Sequence, residues 1–239
     1  QLSTAFVSQN GLSNPIDYLI NSIYEQAEVD DYGYTKYCLY DMIGKSATTG
    51  APNIDNSFVL NGAETTPFEP KELLTKARAM SGRLNFKSSK YNLAGVTTFS
   101  KRQKLVLLVT PEINAELDVQ ALATLFNIDK GELNYRVVEV DELPTFTTTY
   151  TPPMADALAS QETGLPVVQE AYTIDAKLQN VQIDAVVVDE DAFQKYDKLI
   201  ATRSVENINN LSMNIVLHRQ GIAGSNPFCN FVAFGHKTV

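Results

Sequence analysis

The stretch that decides the fold is IDAVVVDEDAF, residues 183–193. Its first six residues are almost uninterruptedly apolar, which is typical of a β-strand that is covered on both faces. Asp189 follows directly and is a favoured helix N-cap, so we expect a helix to begin there. The apolar positions of that helix would be Phe193, Tyr196, Leu199 and Ile200. A buried strand that leads into a helix predicts an α/β lobe.

Further elements of the same lobe are predicted upstream. The runs KLVLLV at residues 104–109 and YRVVEV at residues 135–140 are two more strand candidates. Between them, Asp118 is placed to cap a helix whose apolar side chains are Val119, Leu122, Leu125 and Phe126. Strand, helix and strand in this order are the pattern of an α/β unit.

The first part of the chain has a helical period instead. Residues 14–43 carry an apolar stripe at three- and four-residue steps, which predicts one long helix. Asn14 favours its start, the pair Asp30-Asp31 indicates a solvated break, and Gly44 is its expected stop. Such a helix is a spine that other elements must cover.

Shorter elements fill the remainder. We expect a short strand at residues 57–60, a helix at residues 70–82, and β-rich segments at residues 213–218 and 230–234. Residues 144–180 interrupt the strand and helix pattern. Their opening Pro- and Thr-rich run at residues 144–153 has no helical period, which predicts an extended loop or hairpin.

The composition is ordinary for a globular protein, with 44% hydrophobic and 20% charged residues in a chain of 239. The 28 acidic and 19 basic residues give a charge of −9, which disfavours tight DNA binding and docking on anionic lipid. No apolar run is long enough to span a membrane, and the first residues do not resemble a signal peptide. Cys38 and Cys229 form no CxxC pair and are expected to be free, buried thiols in a reducing cytoplasm.

A search for chemistry finds no GxxxxGK[ST], GxGxxG, GxSxG or HExxH motif. His218 and His236 are the only two histidines, too few for most metal sites. The acidic run Asp189-Glu190-Asp191 could hold a divalent metal, but acids at a helix start usually bond the unpaired N–H groups there. We therefore expect no catalytic, cofactor-binding or metal-binding residue and no cofactor.

A basic face is predicted on the helix at residues 70–82, with three alternatives for its role. It could contact phosphate, pair with an acidic neighbouring subunit, or face water. The tyrosines of the first helix are expected to be core or interface rings. The basic residues are Lys71, Lys76, Arg78 and Arg83, followed by Lys87 and Lys90, and the tyrosines are at positions 18, 24, 32, 34, 37 and 40.

Motifs spread along the chain resemble one protein family. They are YNLAGV at residues 91–96, AVVVDEDAFQKYD at residues 185–197, NNLSMNIVLH at residues 209–218 and PFCNFVAF at residues 227–234. In order and spacing they are similar to the major capsid proteins of small phi-twenty-nine-like podoviruses. None of these motifs is a catalytic signature.

The resemblance implies an α+β subunit of the Hong Kong ninety-seven type capsid fold. Residues 1–100 would form mainly a peripheral lobe with the long spine helix, and residues 101–225 mainly an α/β axial lobe. Residues 226–239 would be a strand that returns to the peripheral lobe. An N-terminal arm and an extended loop of the family are not found in this chain, which also begins without Met, so we expect a fragment or processed form.

The resemblance also implies a structural protein and not an enzyme. Such a major capsid subunit self-assembles into pentameric and hexameric capsomers of an icosahedral or prolate phage head. Its partners would be itself, scaffolding and portal proteins, and double-stranded DNA enclosed without sequence-specific binding, with no membrane. It would be found in the virion after assembly in the bacterial cytoplasm. Two alternatives are a non-viral encapsulating shell protein and a small-molecule or nucleotide-binding α/β enzyme.

Two residues are candidates for contacts between subunits. The segment 144–180 interrupts a predicted strand–helix lobe, and long loops inside compact domains are usually functional or disordered. By resemblance, the axial lobe points at the capsomer centre. We therefore expect Phe146 and Tyr150 to anchor contacts around the five- or six-fold axis, with a mobile surface loop as the alternative.

Overall fold

A computed structural model describes residues 10–62, 65–116, 136–153, 170–207 and 212–238. The chain divides into two compact units. One unit, here called the hairpin unit, comprises Gln1–Lys36, Met154–Val167 and Lys195–Gly224. The other, the sheet unit, comprises Tyr37–Pro153, Val168–Gln194 and Ser225–Val239.

The predicted long helix is confirmed and is longer than expected. Helix α1 runs without interruption over Asn10–Ala47, so the break expected at Asp30 and Asp31 and the stop expected at Gly44 are both wrong. Helices α2 and α3 follow at Ile54–Ser57 and Pro70–Leu84. None of the helices that the structure describes is both long and apolar enough to cross a bilayer.

The described residues include ten strands, and six of them form the main sheet. Strands β1, β10, β7, β2 and β3 lie side by side in that order, and β4 also pairs with β7. Strand β2 runs parallel to β3 and antiparallel to β7, and β7 is antiparallel to β10. The ranges are β1 Phe58–Leu60, β2 Leu105–Val109, β3 Arg136–Glu139, β4 Thr145–Phe146, β5 Thr149–Tyr150, β6 Tyr172–Thr173, β7 Val181–Asp189, β8 Phe193–Asn207, β9 Ser212–Ser225 and β10 Phe231–Lys237.

Both faces of the main sheet are buried, as the apolar runs predict. Val186 and Val188 of β7 belong to a cluster that includes Ile43 of α1, whereas Val187 belongs to a second cluster that includes Leu73 of α3. Successive residues of a strand point to opposite faces, so the sheet of the sheet unit lies between the C-terminal part of α1 and α3.

The helix predicted after Asp189 is wrong. Asp189 does cap a turn, because its Oδ1 accepts a hydrogen bond from the Asp191 backbone N–H at 3.1 Å, but the turn spans only Glu190–Ala192. The chain then enters β8, which pairs with β9 as a separate two-stranded sheet. The aromatic and β-branched side chains after Phe193 suit a strand as well as a helix, and pairing with β9 decides between them. The helix predicted after Asp118 lies outside the described residues.

The C-terminal strand belongs to the main sheet. Strand β10 pairs with β7 over its whole length and with β1 in parallel. It therefore lies in the same compact unit as β2 and β7, whereas Lys195–Gly224 belongs to the hairpin unit. Which unit is peripheral and which is axial in an assembly stays a prediction.

Candidate assembly surfaces

Two tyrosine rings press on α1 at Gly44. A Cβ atom at this position would lie 2.8 Å from Cδ2 of Tyr172 and 3.0 Å from Cδ1 of Tyr150. Real Cβ atoms rarely approach ring carbons that closely in a close-packed interior. The glycine therefore permits ring packing against the helix and does not end it.

Phe146 and Tyr150, the two predicted contact residues, both lie in the core of the sheet unit. Phe146 is 0% exposed and Tyr150 is 7% exposed. Their ring centroids are 5.1 Å apart in an edge-to-face arrangement, and Phe58 also packs edge-to-face on Phe146 at 6.2 Å. Burial leaves these rings no surface for a neighbour in this conformation. The prediction that their segment makes capsomer contacts stays a prediction. Between the two rings, Thr147, Thr148 and Thr149 are exposed.

Two tyrosine hydroxyl groups form hydrogen bonds between α1 and the chain segments before β4 and at β6. The Tyr172 hydroxyl donates to the Asp41 carboxylate, and the Tyr40 hydroxyl donates to the Glu142 carbonyl oxygen at 2.8 Å. The Tyr150 hydroxyl is buried and has no hydrogen-bond partner among the described residues. Burial raises the pKa of Tyr150, and burial and the bond to Asp41 raise the pKa of Tyr172, so both phenols stay protonated.

A buried Asp–His pair links β7 to β10, and sequence reasoning did not identify it. The Nδ1 atom of His236 lies 2.9 Å and 3.1 Å from the two carboxylate oxygens of Asp184. The same carboxylate accepts a hydrogen bond from the Phe68 backbone N–H. Burial raises the pKa of Asp184, and the bond to His236 partly offsets this rise. The available signal was a carboxylate inside an otherwise apolar strand, since a buried charge needs a partner.

The acidic run Asp189–Asp191 is a cap with one ion pair. Lys104 binds the Asp191 carboxylate, and the Asp189 carboxylate accepts a hydrogen bond from the Asp191 backbone N–H. Within the ranges that the structure describes, no three His, Cys, Asp or Glu side chains are grouped as a metal site. His218, which was expected to be a core or interface histidine rather than a ligand, lies exposed on β9, so the interface alternative stays a prediction.

Both cysteines are free thiols. Cys38 is buried as predicted, whereas Cys229 is only half-buried. Burial raises the pKa of both thiols, and for Cys229 burial and the neighbouring carboxylates of Asp189 and Asp191 raise the pKa to about 11.

An ionic cluster joins the hairpin of β8 and β9 to α1 within the hairpin unit. Arg219 of β9 binds Asp31 of α1 at 2.7 Å and Asp197 of β8 at 3.3 Å. Lys195 of β8 also binds Asp31. Arg219 further donates to the carbonyl oxygen of Ala27 at 3.1 Å. Asp31 is therefore an ion-pair partner in a continuous helix and not part of a break.

The opposite face of this hairpin is apolar and exposed. Side chains alternate along a strand, so Tyr196 and Ile200 point away from the face that carries Lys195 and Asp197. Ile222 of β9 likewise points away from the face of Arg219. The exposed fractions of Tyr196, Ile200 and Ile222 are 64%, 57% and 69%. We call these three residues the outer hairpin patch.

The first helix also exposes apolar side chains in the hairpin unit. Tyr18 is 76% exposed and Val29 is 62% exposed. Tyr40, which belongs to the sheet unit, is by contrast 1% exposed and lies in the core. Among the six tyrosines of α1, only Tyr40 is therefore a buried core ring. For the others, the expectation of an interface ring stays a prediction.

A buried asparagine network joins two of the sequence motifs. Asn92 and Asn230 are 0% and 2% exposed, and Nδ2 of Asn92 lies 3.3 Å from Oδ1 of Asn230. Asn230 also accepts from Thr98 at 3.0 Å and donates to Ser100 at 3.2 Å. The Ala94 backbone N–H donates to the Pro227 carbonyl oxygen at 3.0 Å. The motifs at residues 91–96 and 227–234 therefore form one rigid junction.

Part of the predicted basic face of α3 is engaged in contacts within the chain. Lys76 binds Glu72 at 2.8 Å and its ammonium lies 4.4 Å from the centroid of the Phe68 ring. Lys71 and Arg83 are exposed.

The fold of this chain is also found in chains of solved phage structures. A chain in the structure of the head fiber and inner core protein of native bacteriophage P68 has the same fold, with a TM-score of 0.65 and 14% identity over 96% of this chain and 65% of that chain. A chain of the capsid of Staphylococcus phage Andhra gives a TM-score of 0.61 and 13% identity over 100% of this chain and 67% of that chain. The predicted α+β capsid fold is thereby confirmed.

The chain belongs to the family of Phi29-like phage major capsid proteins, whose family model matches residues 1–235. The major capsid protein of Bacillus phage B103 is 30% identical over 235 residues, which are 98% of this chain and 43% of that protein. The chain thus spans less than half the length of that relative. Family membership confirms the predicted structural role and disfavours the enzyme and the non-viral shell.

Proposed function

We propose that this chain is the shell-forming part of a major capsid subunit that self-assembles into pentameric and hexameric capsomers. The resulting icosahedral or prolate head encloses double-stranded DNA without sequence-specific binding. Scaffolding and portal proteins act as partners, and assembly takes place in the bacterial cytoplasm. Family membership and the capsid fold support this role.

The outer hairpin patch is the observation that carries the proposal. A two-stranded sheet is marginal by itself, and contiguous exposed apolar surface marks an interaction site. The ionic cluster with Asp31 already fastens one face of the hairpin to α1. Tyr196, Ile200 and Ile222 lie on the opposite face of the hairpin and are exposed, and a neighbouring subunit would remove them from water.

Two lobes with a spine helix are also part of the proposal. The chain has two compact units, and α1 is 38 residues long. We assign the hairpin unit to the peripheral lobe and the sheet unit to the axial lobe. The exposed threonines of residues 147–149 would then lie near the capsomer centre.

The test is shell formation by the intact capsid protein with its scaffolding protein. Tyr196→Ser/Ile222→Ser should fold with an unchanged circular dichroism spectrum and give at least about tenfold fewer closed shells in electron micrographs, because interface centres carry most of the association energy. Lys71→Ser, on the exposed face of α3, should assemble like the parent. Normal shells from the double variant would show that the patch does not bind a neighbour.

A further inference from the structure

The sheet unit contains a stretch of sequence in which every charged residue is basic, although the chain as a whole is acidic. Between Arg83 and Lys104 there are six cations and no carboxylate, although the whole chain has 28 acidic and 19 basic residues. The other cations of the run are Lys87, Lys90, Lys101 and Arg102. Lys87 and Lys90 are exposed in the irregular loop that follows α3.

Strand register places this run at one end of the main sheet. Strand β2 starts immediately after Lys104, with Leu105 opposite Asp189 of β7. Strand β10 starts at the same end, with Phe231 opposite Val188. We call this the cationic end, where six cations outnumber the three carboxylates of Asp189–Asp191.

The cationic end also exposes aromatic rings on a rigid support. Phe86, Phe99 and Phe228 are 71%, 49% and 53% exposed. Backbone hydrogen bonds from Ser100 to Leu84 at 2.8 Å and between Ser88 and Thr98 at 2.9 Å and 3.0 Å flank Phe86 and Phe99, so these two residues lie across from each other. The asparagine network fixes the segment that carries Phe228 to the same loop. Binding through such a surface would cost little conformational entropy, because its segments are already held in place.

The other end of the same strands is acidic. Strand β2 leads into a helical segment with exposed Glu112 and Glu116, which lie one turn apart. The parallel strand β3 ends at Glu139, which accepts a hydrogen bond from Asn114 at 2.6 Å and is followed by Asp141 and Glu142. These segments together hold five carboxylates. One cation, Lys237, lies nearby as the last residue of β10. Five residues of β2 separate the two ends by about 17 Å.

We propose that the cationic end of one copy docks on the acidic end of the next copy, a head-to-tail contact between neighbouring sheet units. Phe86, Phe99 and Phe228 form the apolar centre of this contact and Lys87 and Lys90 its charged rim, opposite Glu112 and Glu116. The proposal rests on the proposed function, because it specifies how subunits that self-assemble recognise one another.

Geometry and charge favour a second copy over other occupants. One chain carries both complementary surfaces at opposite ends, and a heterologous contact of this kind closes into a ring when its rotation permits. Charge complementarity of this kind speeds encounter and fixes the register of the partners. Packaged DNA would meet the cationic end alone and would leave the acidic end without a role.

Charge exchange in the intact capsid protein tests the contact. Lys87→Glu/Lys90→Glu should slow shell formation, followed by light scattering, by at least about tenfold at low salt. Glu112→Lys/Glu116→Lys should do the same. The protein with all four substitutions regains the parental net charge and complementary ends, and should assemble within about threefold of the parental rate.

The controls separate the possible outcomes. Lys71→Glu/Arg78→Glu, on the exposed face of α3, changes the net charge as much as the lysine reversal does and should assemble like the parent. Unchanged assembly of both reversed variants, or no recovery in the fourfold variant, would overturn the head-to-tail contact. Normal shells that retain less of a labelled DNA duplex after Lys87→Glu/Lys90→Glu would assign the cationic end to DNA instead. Failure of the parent to form shells would overturn the proposed function itself.

Discussion

At the scale of single residues, the packing of the sheet unit depends on the absence of a side chain at Gly44. Gly44 has the helical conformation that alanine would favour, yet the rings of Tyr150 and Tyr172 occupy the space of a Cβ. The two rings belong to the loop that the sequence presents as an interruption. Close approach to α1 is what makes this loop part of the core.

Gly44→Ala should therefore destabilise the protein. Alanine gains about 1 kcal/mol of helix propensity, whereas overpacking in a core costs about 1–3 kcal/mol. We expect a net loss of up to about 2 kcal/mol in the free energy of unfolding, measured by urea denaturation. Gly82→Ala in α3 is the matched control, since its Cβ would meet Arg102 only at 3.6 Å. That control should be stabilising by about 0.5–1 kcal/mol, and a shift in the same direction for both would contradict the packing argument.

The half-buried thiol of Cys229 should react slowly. Its pKa of about 11, set by burial and by Asp189 and Asp191, leaves little thiolate at neutral pH. At pH 8 the thiolate fraction is roughly 100-fold smaller than for a thiol with a pKa of 9, but the more basic thiolate is about tenfold more nucleophilic. The reaction with a disulfide reagent should therefore be about tenfold slower, and it should accelerate up to about pH 11. The measurement uses Cys38→Ser so that Cys229 alone is followed. A rate that levels off near pH 9 would show that the carboxylates and burial do not act on this thiol.

At the scale of elements, strands with both faces buried were predictable and the hairpin was not. The runs that became β2 and β7 are apolar on both faces, and only a covered strand satisfies such a pattern. The segment after Asp189 carries apolar residues at spacings that fit a helix, and its partner β9 lies beyond a separate stretch of sequence. Pairing between distant segments is not encoded in local spacing, so the ionic cluster and the outer hairpin patch could not be predicted either.

The strand pair β7 and β10 should lose stability in a pH-dependent way when His236 is removed. Without the bond from His236, the raised pKa of Asp184 rises further. The unfolded carboxyl group has a pKa of about 3.9, so between that pH and the raised folded pKa the folded state binds more protons. The free energy of unfolding of His236→Ala should thus fall as pH rises above about 4, with a loss of about 3 kcal/mol at pH 7.

Asp184→Asn/His236→Ala provides the comparison for this effect. It removes the titrating group together with its partner, so the additional pH slope should disappear. Urea denaturation between pH 4 and pH 8 gives the slopes of both variants. Parallel slopes would mean that Asp184 stays ionised without His236.

At the scale of the whole molecule, the family and the fold were predictable from the sequence, while the burial of individual side chains was not. The motifs at residues 91–96 and 227–234 carried the resemblance, and the structure joins them through Asn92 and Asn230. Phe146 and Tyr150 were selected from a loop-like stretch but lie in the core. Exposure depends on the complete fold, whereas a resemblance depends on the order of short motifs.

Unfolding of the intact protein should not depend on metal ions or nucleotides. The sequence has no phosphate-binding motif, and the family is structural. Thermal melts with EDTA, zinc, magnesium or ATP should overlay, because a ligand that binds only the folded state raises the melting temperature. A rise of several degrees with any one of them would reveal a binding site that the structural role does not require.

The rigid junction around Asn92 has a consequence for proteolysis. Trypsin must draw an extended segment of backbone into its active site, so exposed lysines in a hydrogen-bonded loop are poor substrates. Lys87 and Lys90 lie between the bonded pairs Leu84–Ser100 and Asn92–Asn230, and cleavage there requires local opening. We expect brief digestion to spare both sites, and Asn92→Ala to make them early cleavage sites when fragments are mapped by mass spectrometry. Equal early cleavage in the parent would show that the loop opens freely.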